Sequence, residues 1–314
     1  MPAIAPRIRR LLPALLLAAT PASAQEPFEI RAGERVVFIG NTFAERMQIF
    51  PHFEALLTAQ QPERRLTFRY LAWSGDEVAL RPRPLNFGDI HTHLEEQRAD
   101  VIFAAFGMNE SYQGEEGLPR FRVELASLLR ELKSRTYNGS TPPRIVLLSP
   151  IPHEHVARVP LDPAAHNADL ARYTDAMREV AAAEGVRFVD LFEPMRPLMS
   201  DPALGDLTIN GIHLDDEGNA IAAVLIARAL GWMPADASPT AARPRNHERL
   251  AEAIRQKNEL FFLRWRAVNG EYIYGRRKEP FGVVNFPEEM RQLEEMIQGR
   301  EREIWRLAGG GASR

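Results

Sequence analysis

The sequence predicts an α/β protein: a three-layer sandwich around a mostly parallel five-stranded sheet, followed by a C-terminal helical extension. Three observations predict this. Five short runs are almost continuously apolar, as strands covered on both faces require. Amphipathic stretches of helical period lie between them. The composition, 45% hydrophobic and 26% charged over 314 residues, belongs to a globular chain able to bury a sizeable core.

The elements follow in order. Arg7, Arg9 and Arg10 precede an apolar run over 11–19, and Ala22-Ser23-Ala24 fits a cleavage site before Gln25. Residues 1–24 therefore read as a signal peptide, with an uncleaved anchor as the rival reading. The apolar run is too short to span a bilayer. The mature chain is expected to be exported, periplasmic or extracellular, without stable membrane insertion. Strands are predicted at 35–39, 66–71, 101–105, 145–148 and 186–190. Helices are predicted at 47–59, 118–135, 168–184 and 217–230. The third is stopped by Gly185 and the fourth by Gly231. These elements make one α/β domain, 25–233. Residues 234–247, rich in Pro, Ala, Ser and Arg, read as a linker. Residues 248–314 form the extension, with helices at 247–266 and 288–307.

Some chemistries are excluded. The chain has no cysteine, so no disulfide framework, thiolate metal site or cysteine nucleophile exists. A formal net charge of −3 gives no sign of nucleic-acid binding by the whole protein. From Arg243 onward 15 basic residues face 11 acidic ones, so the tail is mildly basic. No HExxH, P-loop or GxGxxG pattern is present, and no cofactor is expected.

Ligands of an open parallel sheet bind beyond the carboxyl ends of its strands. Four loops qualify: Gly40-Asn41-Thr42, Ser74-Gly75-Asp76, Gly107-Met108-Asn109-Glu110, and Asn210-Gly211-Ile212-His213-Leu214. With their flanks they read "VVFIGNTF", "AWSGDE", "FGMNE" and "NGIHLDDEG". In this order, the four blocks resemble those of the SGNH (GDSL-type) hydrolases, over roughly residues 35–231. The resemblance implies an SGNH or flavodoxin-like sheet and an exported esterase or deacetylase, acting on an acylated carbohydrate or similar ester. It implies Thr42 as nucleophile, His213 as base and Asn210 as its orienting partner. It also implies an oxyanion hole from the Thr42 N–H, the Gly75 N–H and the Asn109 amide. Asn41, Glu110 and Arg276 are possible substrate contacts.

Three positions depart from the family. Thr42 stands for its serine, Asn210 for the aspartate of Asp-x-x-His, and Glu110 for the aspartate of GxND. The methyl of threonine crowds attack and stiffens χ1. Asparagine carries no charge to stabilise an imidazolium; in a serine protease the Asp-to-Asn change lowers kcat ~10⁴-fold. Asp206, Asp215 and Asp216 are candidate substitute carboxylates. Thr42 has a second reading: Thr42-x-x-Glu45 fits a capping box that opens a helix. A third is a ligand-binding hydroxyl. A catalytically degenerate module that holds a glycan or carboxylate ligand is thus the alternative function.

Other groupings are weaker. His153 and His155 flank Glu154, and His91 and His93 form a second pair. Either pair could hold a metal, although a plain loop at the mouth of the site suits the first, and no metal is expected. Residues 81–93 read as a loop over the sheet edge that shapes a cleft or is a plain surface excursion. In the tail, Trp265, Tyr272, Tyr274, Phe281 and Phe286 interleave with Arg264, Arg266, Arg276, Arg277 and Lys278. This mixture suits a sugar, an anionic polymer or a protein partner, or aromatics packed on the α/β domain with snorkelling cations.

Overall fold

The structure is a computed structural model that describes residues 26–84, 87–240, 247–266, 278, 282 and 284–309. The predicted signal peptide, Arg276 and Arg277 lie outside the described residues, as do Tyr272, Tyr274 and Phe281.

Five parallel strands form one sheet in the order β2-β1-β3-β4-β5. They are β1 Arg35–Gly40, β2 Thr67–Tyr70, β3 Val101–Ala105, β4 Arg144–Leu148 and β5 Arg187–Val189. The predicted sheet is present, with no strand boundary moved by more than one residue and 101–105 unchanged. Alternation along the strands builds two cores. Val36, Phe38, Val101 and Phe103 enter one, with Ile221 and Ile226. Val37, Ile39, Ile102 and Ala104 enter the other, with Leu125, Leu129 and Met177. Both faces are therefore covered, which is why the strands read as unbroken apolar runs. Phe38 holds the centre of the first core, stacked between Tyr70 at 5.0 Å and Phe103 at 4.9 Å.

Nine α-helices are described. They are α1 Thr42–Arg46, α2 His52–Gln60, α3 Ile90–Glu96, α4 Gly114–Lys133, α5 Ala164–Glu184, α6 Phe192–Met199, α7 Asp216–Ala229, α8 His247–Trp265 and α9 Phe286–Gly309. The helix expected over 47–59 starts later: residues 47–51 form turns after α1, and α2 begins after Pro51. Proline disfavours helical geometry in the residue before it. Helices α3 and α6 had no counterpart in the sequence reading, being too short to show a clear period. No helix among the described residues is long and apolar enough to cross a membrane.

The extension docks on the sheet. Phe261, Trp265 and Ile297 are buried in the second core. Edge strand β2 is covered by polar bonds: Lys257 Nζ, paired with Glu54 of α2 at 2.9 Å, donates to the Phe68 carbonyl at 3.1 Å, and Arg69 pairs with Glu301 at 2.5 Å. Trp305 Nε1 donates to the Leu66 carbonyl at 3.0 Å. Covering an edge in this way blocks further strand pairing.

Candidate active site

Strand β1 ends at Gly40, whose φ of +118° suits glycine, and a Cβ there would meet the Ala105 oxygen at 2.0 Å. Asn41 N–H donates to that same oxygen at 3.0 Å, so the loop is drawn against β3. Asn41, not Thr42, caps α1: its Oδ1 accepts the Phe43 N–H at 3.1 Å. The expected capping box is absent. The Glu45 carboxylate instead accepts the Ser74 N–H at 2.7 Å and is paired with Arg266. The hydroxyl of half-buried Thr42 makes no hydrogen bond to a described residue. As the first helical residue, Thr42 also has an N–H with no intrahelical acceptor.

Thr42, Asn109 and His213 line one cavity at the carboxyl ends of the strands, with Asn41, Met108 and Ile151. It encloses about 380 Å³ counted out to open solvent. Ser149 also lines it, but that hydroxyl accepts the Leu191 N–H at 2.8 Å and donates to the Pro150 carbonyl at 2.9 Å. Thr42 thus supplies the free hydroxyl of the lining.

Asn210 meets His213, but with the polarity reversed. Its Oδ1 accepts the His213 N–H at 3.0 Å and the Ile212 N–H at 3.4 Å. Those bonds turn the amide NH₂ toward the ring, and Nδ2 sits 3.0 Å from His213 Nδ1. An NH₂ group can only donate. Nδ1 is therefore the acceptor, and the neutral ring carries its proton on Nε2. An aspartate here would do the opposite and leave Nε2 as the base. Burial, with Arg46 beside it, pushes the His213 pKa below its ordinary 6.5. Arg46 Nη2 donates to the Leu214 carbonyl at 3.1 Å, one residue from the imidazole.

The substitute carboxylates are employed elsewhere. Asp206 pairs with Arg158 at 2.5 Å, Asp215 caps α7 through the Gly218 N–H at 2.8 Å, and Asp216 meets His52 at 2.7 Å.

Gly75 is not in the cavity lining; it sits in an exposed turn with φ +84°. The next residue ties that turn to the site, because Asn109 Nδ2 donates to the Asp76 carbonyl at 3.0 Å. Glu110, expected as a substrate contact, is only 3% exposed and is not in the lining. Its oxygens accept the Val78 and Gly107 N–H groups, both at 2.8 Å, and burial pushes its pKa up to about 7. It fastens two site loops together.

No group of three or more potential ligands that could hold a metal exists among the described residues. Glu154 is buried and anchors the segment bearing Asn210, through the Leu207 N–H at 2.8 Å and the Thr208 hydroxyl. His153 Nδ1 meets His166 Nδ1 at 2.9 Å, and His166 Nε2 meets Ser111 Oγ at 2.8 Å. His91 is bonded to the Tyr137 hydroxyl at 2.7 Å. Gly211, at φ +96°, is pressed so close to His153 that a Cβ would lie 2.8 Å from the ring. Sequence reasoning missed Arg46, Glu45, Glu154 and His166 as supports, since each acts through a partner distant in sequence.

A model of the GDSL-like Lipase/Acylhydrolase family matches residues 40–221. No curated protein matches the chain. Among solved structures, the chain is similar to a gut microbial diltiazem-metabolizing enzyme: 21% identity, TM-score 0.50, covering 65% of this chain and 48% of that one. It spans about half the length of that relative. It is also similar to a catalytic mutant of Axe2, an acetylxylan esterase from Geobacillus stearothermophilus. There the identity is 20% and the TM-score 0.50, covering 68% of this chain and 99% of that one. At such identities the likeness is one of fold.

Proposed function

The chain belongs to the GDSL-like lipase/acylhydrolase family, and from that membership we propose that it is an exported ester hydrolase that deacylates a carbohydrate. One observation carries the reading: a free hydroxyl, an amide and an imidazole from three distant segments line a single cavity. In the reaction, Thr42 Oγ1 attacks the ester carbonyl carbon while His213 Nε2 takes its proton. The Thr42 N–H and the Asn109 amide donate to the oxyanion; Gly75, outside the lining, is left out of the oxyanion hole in this reading. The C–O bond to the sugar breaks, and the leaving alkoxide takes the proton from His213. Water then attacks the acyl-threonine by the same route and releases the acid.

Turnover is slow in this reading. The resting tautomer places a proton, not a lone pair, on Nε2. Moving it to Nδ1 sets an N–H against the Asn210 NH₂. Two observations support a sugar as the leaving group. The Tyr112 N–H donates to the Asn109 carbonyl at 3.3 Å, so the tyrosine lies one turn from the cavity. Its ring is 60% exposed and is braced on one face by His166 at 4.1 Å. A fixed aromatic face suits the apolar face of a pyranose.

The reversed Asn210 bond also favours a second reading. A neutral His213 that donates through Nε2–H, beside the NH₂ of Asn109, turns two donors into the cavity. Such a cavity suits a carboxylate or acyl group that is held and not cleaved. Hydrolysis of a small activated acetate ester by the mature chain and its Thr42→Ala variant separates the two. Slow hydrolysis lost in the variant is expected. Identical traces overturn the hydrolase and leave the binding module.

A further inference from the structure

The amino ends of the strands carry a second, unassigned groove. It encloses about 1610 Å³ counted out to open solvent and is lined by Gly33, Arg64, Arg65, Arg302, Trp305 and Arg306, among others. Glu63 is its acidic member, 3.9 Å from Arg64. Arg65, Arg302 and Arg306 are exposed and form no ion pair with a described residue. In a chain of net charge −3, four guanidinium groups around one concavity form a local anion-attracting field. Arginines near the end of α9 complement a helix C-terminus. That accounts for Arg302 and Arg306 but not for Arg64 and Arg65, which come from the approach to β2.

Two details show a built surface. Arg65 has φ +48° and ψ +51°, a left-handed conformation that side-chain-bearing residues rarely adopt. It is kept there while the neighbouring Arg64 carbonyl accepts the Gly33 N–H at 2.7 Å. The half-buried Trp305 ring is fixed by its indole bond to Leu66. Planar guanidinium forks match carboxylates, and a fixed indole face matches a sugar ring.

We propose that this groove binds an acidic polysaccharide, a chain of pyranose rings bearing carboxylates, as an anchoring site apart from the cavity. The sugar identity rests on the carbohydrate reading above; the anionic character rests on the groove alone. Strand β1 separates the two sites by ~20 Å, at about 3.3 Å per residue. A concave groove does not fit a flat bilayer. None of its lining residues is among the exposed large apolar side chains that would enter one.

The test measures binding of polygalacturonate, neutral xylan and phosphatidylglycerol vesicles to the full chain, to Thr42→Ala, and to the double variant Arg65→Glu, Arg302→Glu. Polygalacturonate is expected to bind wild type and Thr42→Ala alike, with affinity falling at least tenfold in the double variant and in high salt. Small-ester hydrolysis by the double variant is expected to equal wild type, so loss of the catalytic reading leaves this result standing. Absence of polygalacturonate binding, or binding indifferent to the double variant, overturns the proposal. Vesicle binding that is tighter than polygalacturonate binding and depends on the groove overturns it in favour of a lipid surface.

Discussion

At the scale of residues, the chemistry turns on which atom of Asn210 faces His213. The backbone N–H groups of Ile212 and His213 claim Oδ1, and the ring receives the NH₂. Burial and Arg46 lower the imidazole pKa from its ordinary 6.5. Any hydrolysis needing neutral His213 is therefore expected to be flat above pH 6.5 and to fall only at lower pH. A rate profile with its acid limb centred above 6.5 would contradict this. Thr42→Ser removes the methyl that stiffens χ1. Relief of ~0.5–1.5 kcal/mol of rotamer restriction corresponds to up to about tenfold in rate, read as kcat on a small acetate ester. That Thr42, Asn109 and His213 would meet was legible, because Thr42 and Asn109 follow apolar strands and His213 precedes the last long helix, and all three line one cavity. The direction of the Asn210 bond was not. It depends on two backbone N–H groups whose positions only the folded loop fixes.

At the scale of elements, the C-terminal helices are part of the core. Lys257 is fully buried against Glu54, and burial pushes the lysine pKa down and the carboxyl pKa up. Lys257→Ala is expected to cost about 3–5 kcal/mol, because it strands a buried carboxylate; denaturant unfolding measures it. The loop bearing Glu154 is held to α5 by the His153–His166 contact. The His166 pKa is lowered to about 4 by burial and by His153. A histidine with a lowered folded pKa contributes stability above 6.5 that is lost as pH falls through about 4. In His166→Phe, unfolding midpoints are expected to lose part of their slope over that window; an unchanged slope would contradict the assignment. The sequence revealed the long helices and concealed α3, α6 and the turns before α2. Short helices show too little periodicity, and Pro51 acts locally inside an apolar stretch.

At the scale of the whole molecule, the extension clamps the carboxyl end of the sheet, where the cavity lies. Arg266 pairs with Glu45, and its guanidinium lies 3.5 Å over Trp73, next to the Ser74-Gly75 turn. Deleting residues 247–314 is expected to yield insoluble chain, since it uncovers β2 and empties Phe261, Trp265 and Ile297 from a core. A soluble, cooperatively folding 25–246 fragment would contradict this and make the extension a separable module. The order of the five strands and of the long helices of the family fold was legible in the sequence. The docking of the extension was only outlined by its aromatics, because its buried charges read as surface residues in sequence. The central claim is that the cavity is assembled for acyl transfer and held back by the tautomer Asn210 imposes. Asn210→Asp tests it most directly. A carboxylate keeps both backbone bonds and accepts from Nδ1–H. kcat on a small acetate ester is expected to rise tenfold or more, toward the ~10⁴-fold that the converse change costs a serine protease. An unchanged or lower kcat in a folded Asn210→Asp protein would contradict the account.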